Sequence, residues 1–437
     1  CTSRPAAAAG REVHLVEADR LPPGPLPRDG VPQGRQAHVL LHAGLLAAQD
    51  LLPGLREDLL AAGAVPVHTG LLPWRGEHGW SPVGGHGHEV LSTTRPLLEH
   101  VVRTRVTALP GVRVHEGTPV TDLERGRDGW SVRTAGGGEL AGEVVVEASG
   151  RSSRLPQRLA RLGLPPAAVS RVDARTGYAT RRYRGDGGGT ALVLLATPSS
   201  PRGALVLPVE DGDWLVAAVG AGQDRPPRAA AGFEEFLRSL GEPALAEQLR
   251  RWVPRGEVAV HRQTADVRRA YERVPGWPAG LLVLGDALCA FNPVYGQGLA
   301  VAARQAVLLR QALGAGRLDA RATRRWQRRL ARVTDVPWAI ATGEDLRLPT
   351  TEGRPGPAQR ALSRWARAVD RLAAHGDARA ARTLGRTYHL VGSPVELLHP
   401  ALVLAALRAA ARGPGAANPR PAALVRSAAG RSGAGRP

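Results

Sequence analysis

The run Leu281-Leu282-Val283-Leu284-Gly285-Asp286-Ala287 constrains this chain more than any other stretch of it. An unbroken apolar strand is the mark of a sheet covered on both faces. It ends in a glycine, which permits close backbone approach, and an aspartate, whose carboxylate can accept from a hydroxyl. Pro293 and Gly296-Gln297-Gly298 then open a long helix to about Leu313. Bare backbone N–H groups at a helix start, with the positive end of its dipole, suit an electron-rich or anionic group. A single Gly-Asp would not outweigh a plain strand-loop-helix corner, where Gly and Pro are ordinary punctuation.

The rest of the chain supplies the elements such a corner needs. Glu12 to Glu17 reads as a short strand after an Ala-rich helix end. Leu21 to Gly34 reads as a loop, and Gln36 to Ala62 as helix broken at Pro53-Gly54. Thr94 to Val106 is a further helix. Val112 to His115, Val120 to Leu123, Trp130 to Thr134 and Val144 to Glu147 are strands. Tyr178 to Tyr183, Ala191 to Ala196, Ala204 to Val209 and Trp214 to Val219 suggest an antiparallel sheet, with a hairpin loop at Glu210 to Asp213. A helix is expected from Phe233 to Leu249, and helices again to about Ala411. The tail from Gly413 to Pro437 is Pro/Gly/Ala/Arg-rich and reads as disordered.

Composition narrows the function. The 437 residues suffice for two or three domains, and no run approaches the roughly 18 apolar residues that span a bilayer. The net charge of +19 raises nucleic-acid binding as a class. However, all 58 basic residues are Arg, Lys and Met are absent, and Ile340 is the sole Ile. A GC-rich coding sequence explains much of that excess. The Arg residues are scattered apart from Arg324-Arg325, Arg328-Arg329 and the tail, and no RNA-binding aromatic signature or zinc-finger spacing occurs. Nucleic acid is therefore not an expected partner. Cys1 and Cys289 are too few for a disulfide framework or metal cage, Cys289 reads as a small buried residue, and a reducing cytoplasm is the expected compartment. His86 and His88 read as loop residues, not as a metal site, and no metal is expected.

The full run Gly-Asp-Ala-x-x-x-Phe-Asn-Pro-x-Tyr-Gly-Gln-Gly resembles the flavin-contacting segment of the FAD-dependent monooxygenases related to aromatic hydroxylases, including a bacterial subgroup of polyether epoxidases. The resemblance implies that Asp286 binds the ribityl chain, and that Pro293, Gly296, Gln297, Gly298 and Leu299 bring the helix start to the isoalloxazine ring. Val13-His14-Leu15-Val16-Glu17 is similar to the strand whose terminal acid, here Glu17, accepts from the adenosine ribose. Val31-Pro32-Gln33-Gly34-Arg35-Gln36-Ala37-His38 is similar to a family loop whose arginine, here Arg35, contacts the cofactor, with Gln36 replacing the usual His. Arg95, in Thr94-Arg95-Pro96-Leu97-Leu98, matches an arginine lying along FAD, and Val120 stands where family backbone meets adenine. Glu147-Ala148-Ser149-Gly150-Arg151-Ser152-Ser153 resembles the family's second dinucleotide motif, with Glu in place of the commoner Asp.

The resemblance, which extends to about Leu407, implies an α/β fold. A three-layer Rossmann-like FAD-binding domain would carry an inserted antiparallel-sheet substrate domain and a C-terminal helical region. The expected boundaries are 1–165 and 276–315 for the FAD-binding domain (with a loop insertion at about 63–92), 166–275 for the substrate domain, 316–411 for the helical region and 412–437 for the tail. Such a fold should open with a strand and Gly-x-Gly-x-x-Gly, and none precedes Val13. The chain is thus expected to be truncated at its first strand, beginning inside its own nucleotide-binding unit with roughly two dozen residues absent. A lost start fits the intact downstream motifs better than a decayed relative unable to hold FAD.

The implied chemistry is that reduced FAD and O2 form a C4a-hydroperoxide that epoxidises or hydroxylates a small apolar alkene or aromatic, such as a polyketide or terpenoid of secondary metabolism. NAD(P)H would supply electrons directly or through a separate flavin reductase. A halogenase of related fold needs a lysine, which this chain lacks; a prenyl reductase stays open. Catalytic side chains are not assigned. Trp74, Trp80 and Trp338 are candidates to line a pocket bordered by the loop at Leu71 to Gly85.

Overall fold

The computed structural model describes residues 12–428 apart from 86, 128, 186 and 187. Cys1, His86 and the last residues of the tail, on which sequence expectations were placed, fall outside these. The apolar strand Leu281–Val283 pairs in parallel with Val145–Glu147; the first runs into the turn that carries Asp286, and the second ends on Glu147. Leu281, Leu282 and Val283 are fully buried, as a strand covered on both faces requires. A second parallel pair joins Val13–Val16 to Val112–His115.

The helix that follows the Gly-Asp turn spans Gly298–Gly314 and packs on the helix His42–Leu51. The contact is close because Gly44 has no side chain: a Cβ there would stand 2.6 Å from the Ala300 Cα. Gly44→Ala should therefore destabilise the protein by about 1–2 kcal/mol in urea unfolding, since overpacking against backbone outweighs the gain of about 1 kcal/mol in helix propensity. Gly54, with φ of 83°, ends this helix turn, and Leu55–Ala61 starts anew as the Pro53-Gly54 break predicts.

The inserted sheet is larger than its sequence signals. Seven strands lie in the order 253–261, 176–184, 213–221, 202–208, 192–194, 74–76 and 79–80. All neighbours are antiparallel except 192–194 with 74–76. The strand Val253–His261, at one edge of the sheet, was not among the expected strands. The loop insertion is not free-standing: Trp74–Gly76 and Gly79–Trp80 form the far edge of this sheet. The single helix expected over Phe233 to Leu249 is two, Ala230–Arg238 and Pro243–Arg251, separated where Gly241 takes φ of 65° and Pro243 opens the second.

Helices Ala320–Arg332, Asp335–Asp345, Pro357–Ala374, Ala378–Tyr388 and Pro400–Arg412 complete the C-terminal region. The disorder expected beyond Gly413 does not hold for its first part. Ala422–Ala428 is a helix whose Leu424 is fully buried against the sheet's core, Arg420 is paired with Glu242, and the Asn418 amide donates to Trp80 and Ala373 carbonyls. Among the described residues, no helix is long and apolar enough to cross a membrane.

Candidate functional site

Gly285–Ala287 form a tight turn directly after the buried strand, and Gly285 takes φ of 60°. This turn sets Asp286 beside the start of the Gly298–Gly314 helix: a side chain at Gly298 would stand 3.5 Å from the Asp286 Oδ1. Asp286 accepts no hydrogen bond from the described residues, and burial pushes its carboxyl up against the opposing charges of Arg151 and Arg95. The helix start has no side-chain cap, which leaves its first N–H groups open. Gln297, at that start, is completely buried, and neither its amide oxygen nor its nitrogen has a partner. Each such group costs about 1–3 kcal/mol until something bonds it.

The loop that delivers this helix is braced from behind. Pro293–Tyr295 is a single turn capped by Asn292, whose side chain accepts from the Val294 N–H at 3.3 Å, and Gly296 closes it at φ of 67°. The Asn292 backbone N–H donates to Asp266 at 2.7 Å, and its side-chain amide donates to both Asp345 oxygens at 3.0 Å. The Tyr295 hydroxyl donates to Asp345 at 2.6 Å. Asp266 and Asp345 are both fully buried, and burial raises both carboxyls, Asp266 further through the Asp345 charge.

Burial, and then Asp345, push Asp266 up to about 8. An aspartate in the unfolded chain titrates near 3.9, so the folded state holds the extra proton between those values. The stability this gives is present at about pH 4 and is lost as pH rises through about 8. Asp266→Asn should flatten that fall when urea midpoints are compared from about pH 5 to about pH 9.

The sequence-expected residues divide into those the structure brings together and those it does not. Glu17 is half-buried and is held by Arg28 at 3.0 Å. Arg28 also binds Asp19 at 2.9 Å and Glu99 at 2.5 Å, and Glu99 lies 3.8 Å from Arg95. Burial lowers Arg95, with the Glu99 and Asp286 charges opposing. A charged line thus runs from Glu17 to Asp286. His38 is pushed down to about 3 by burial and the Arg95 charge, so a neutral ring borders the line. Arg35 is exposed in a turn and bonds none of the described residues. The Val120 carbonyl is taken by Arg158 at 2.6 Å. Glu147 is likewise committed: it accepts from the Ser149 N–H at 3.0 Å and the Ser153 hydroxyl at 3.1 Å, and lies 3.7 Å from Arg158.

Sequence reasoning missed Arg28, Arg151, Asp266 and Asp345. Arg151 donates to the carbonyls of Ala265 and Phe291 and so ties the second dinucleotide-like loop to the Asp286 side. The large sheet meets the site through Gln36, whose amide donates to the Ala259 carbonyl at 3.0 Å, and Ala37, whose N–H reaches the Thr180 hydroxyl at 3.3 Å. On the same strands Tyr178 and His261 pack at 5.2 Å, with Tyr178 within electrostatic reach of Arg151 and Asp286. Of the three tryptophans, Trp80 is buried in the sheet's core, Trp74 packs edge-on to Tyr388 and Trp338 packs on the parallel-strand core. Cys289 is fully buried and its thiol is raised by burial, as expected of an inert core residue.

The match with known proteins follows this geometry. No family model matches the chain. It is 32% identical over 343 residues to Protein Rv3254 of Mycobacterium tuberculosis (strain ATCC 25618 / H37Rv), covering 72% of this chain and 70% of that protein. It is 29% identical over 359 residues to the kynurenine 3-monooxygenase of Salinispora tropica, covering 77% and 76%. The chain is thus a relative of Protein Rv3254 and, at lower identity, similar to a kynurenine 3-monooxygenase. The solved tetrameric form of 2-methyl-3-hydroxypyridine-5-carboxylic acid oxygenase superposes with a TM-score of 0.59 at 18% identity, over 89% of this chain and 93% of that one. At that identity the likeness is one of fold, and it agrees with the Rossmann-like α/β architecture and the inserted sheet.

Proposed function

We propose that this protein is an FAD-dependent monooxygenase of the flavin hydroxylase type that inserts one oxygen atom of O2 into an apolar substrate, by epoxidation or hydroxylation. The observation that carries the reading is the completely buried Gln297 amide, unpaired on both atoms, at an uncapped helix start beside the free Asp286 carboxylate. That donor set fits a flavin: a carboxylate for ribityl hydroxyls, and an amide with bare N–H groups for a carbonyl-rich ring edge. Asp286, Pro293, Gly296, Gln297, Gly298 and Leu299 would hold the ring and ribityl end. Glu17, Arg35, Arg95 and Val120 would serve the adenosine and phosphate end, with Arg28 fixing the Glu17 carboxylate.

Bound FAD supplies the redox and oxygen chemistry. The chain's own residues orient and exclude. Gln297 and the helix N–H groups place positive potential where electron density collects. Asp266 and Asp345 fix the loop that aims them. The sheet face around Tyr178 and His261 would seat the substrate away from water. NAD(P)H, directly or through a reductase, is the electron source in this reading.

The test offers the FAD-supplied protein a panel of apolar alkenes and phenols with NAD(P)H under isotopically labelled O2. Label in the product supports the proposal. Saturation of an alkene under strictly anaerobic conditions would make the protein a reductase instead.

A further inference from the structure

We propose that the groove between the helix Ala320–Arg332 and residues 268–273 is a second binding site, for an organic phosphate carrying at least two phosphoryl charges. This goes beyond the flavin reading and does not depend on it. Six of the thirteen residues of this helix are arginine, against 58 of 437 in the chain, so a general coding bias does not account for the concentration. Arg325 and Arg329 lie over the Trp326 ring, at 5.9 and 4.2 Å. Arg324, Arg328 and Arg332, one helical turn apart, instead line an open groove of about 450 Å³, and Arg268 and Arg273 contribute to the same groove.

The groove's own acids do not neutralise this charge. Asp335 and Glu272 both lie against Arg268, at 2.9 and 3.6 Å. Arg273, Arg324, Arg328 and Arg332 have no carboxylate partner among the described residues, and the Arg324 Nε is buried without a hydrogen bond. Like charges at this helical spacing repel one another, and a fold that holds four such groups around one hollow gains from an anion placed among them. Planar guanidinium forks match phosphoryl oxygens two at a time, and one small monovalent anion cannot engage groups from both walls. A volume of about 450 Å³ accommodates a pyrophosphate or nucleotide-sized ligand. The strand Asp266–Arg269 links this groove to the braced loop, with Asp266 beneath Asn292 and Arg268 in the groove wall.

The experiment is calorimetric titration of the full chain, kept saturated with FAD, using inorganic pyrophosphate and adenosine 2′,5′-bisphosphate as probes. Potassium chloride at equal ionic strength is the control. The double variant Arg328→Gln/Arg332→Gln alters exposed side chains only, and Arg408→Gln/Arg412→Gln removes the same charge from another helix. Saturable one-to-one binding that weakens about tenfold in the first variant and stays unchanged in the second is the expected result. Tighter binding of the bisphosphate would assign a nucleotide, and equal affinity would confine recognition to the phosphoryl groups. Absence of saturable binding, equal loss in both variants, or an unaffected groove variant would overturn the proposal.

Discussion

Replacing Asp286 by alanine should weaken FAD binding by about ten- to a hundredfold while the protein stays folded. The range follows from the worth of a hydrogen bond to a charged group, about 1.5–3 kcal/mol. Removing Asp286 leaves no described donor unpaired, because none hydrogen-bonds it, and it relieves a carboxyl that burial disfavours. Stability should therefore hold or rise slightly, and fluorescence titration with FAD beside urea unfolding separates the two effects. Asp286→Asn keeps one acceptor oxygen and should fall between the wild type and the alanine variant. A loss of FAD binding matched by a loss of fold would mean that Asp286 is structural.

Asp345→Ala should give the largest loss of stability, about 3–5 kcal/mol, because three hydrogen bonds disappear inside a closed space. The Asn292 amide and the Tyr295 hydroxyl, which donate to Asp345 at 3.0 and 2.6 Å, would be left without an acceptor. Asp266 would also lose the neighbouring charge that raises it, so its carboxyl should titrate lower than about 8 and the pH dependence of folding should shift toward acid. The loop proposed to seat the flavin begins at Asn292 and Tyr295, so on that reading FAD affinity should fall with stability in this variant. Urea midpoints across pH check both parts.

The sequence exposed one half of this site well and the other poorly. Gly285, Asp286 and Gly296 to Gly298 lie within one short segment, where glycine and helix-start chemistry leave a continuous trace. The brace behind them has no such trace. Asp345 ends the helix Asp335–Asp345, far along the chain, and Asp266 opens a four-residue strand whose Arg268-Arg269 interrupts any apolar alternation. Arg28 sits in a Pro/Gly-rich loop and acts only through three acids brought from elsewhere. The strand Val253–His261 was hidden because Pro254 and Gly256 are tolerated toward the end of an edge strand. Low-complexity composition likewise concealed the helix Ala422–Ala428, whose one fully buried leucine suffices to dock it.

The central claim is that the corner from Gly285 to Gly298 seats a flavin. Equilibrium titration of the purified full chain with FAD, followed by flavin fluorescence and compared with riboflavin, tests it most directly. Saturable one-to-one binding of FAD is expected, with weaker binding of riboflavin, which lacks the adenosine and phosphate end, and loss of both in a variant that replaces Gln297 and Asp286 by alanine. A folded wild-type chain that binds neither flavin, or one that binds both unchanged in that variant, would contradict it.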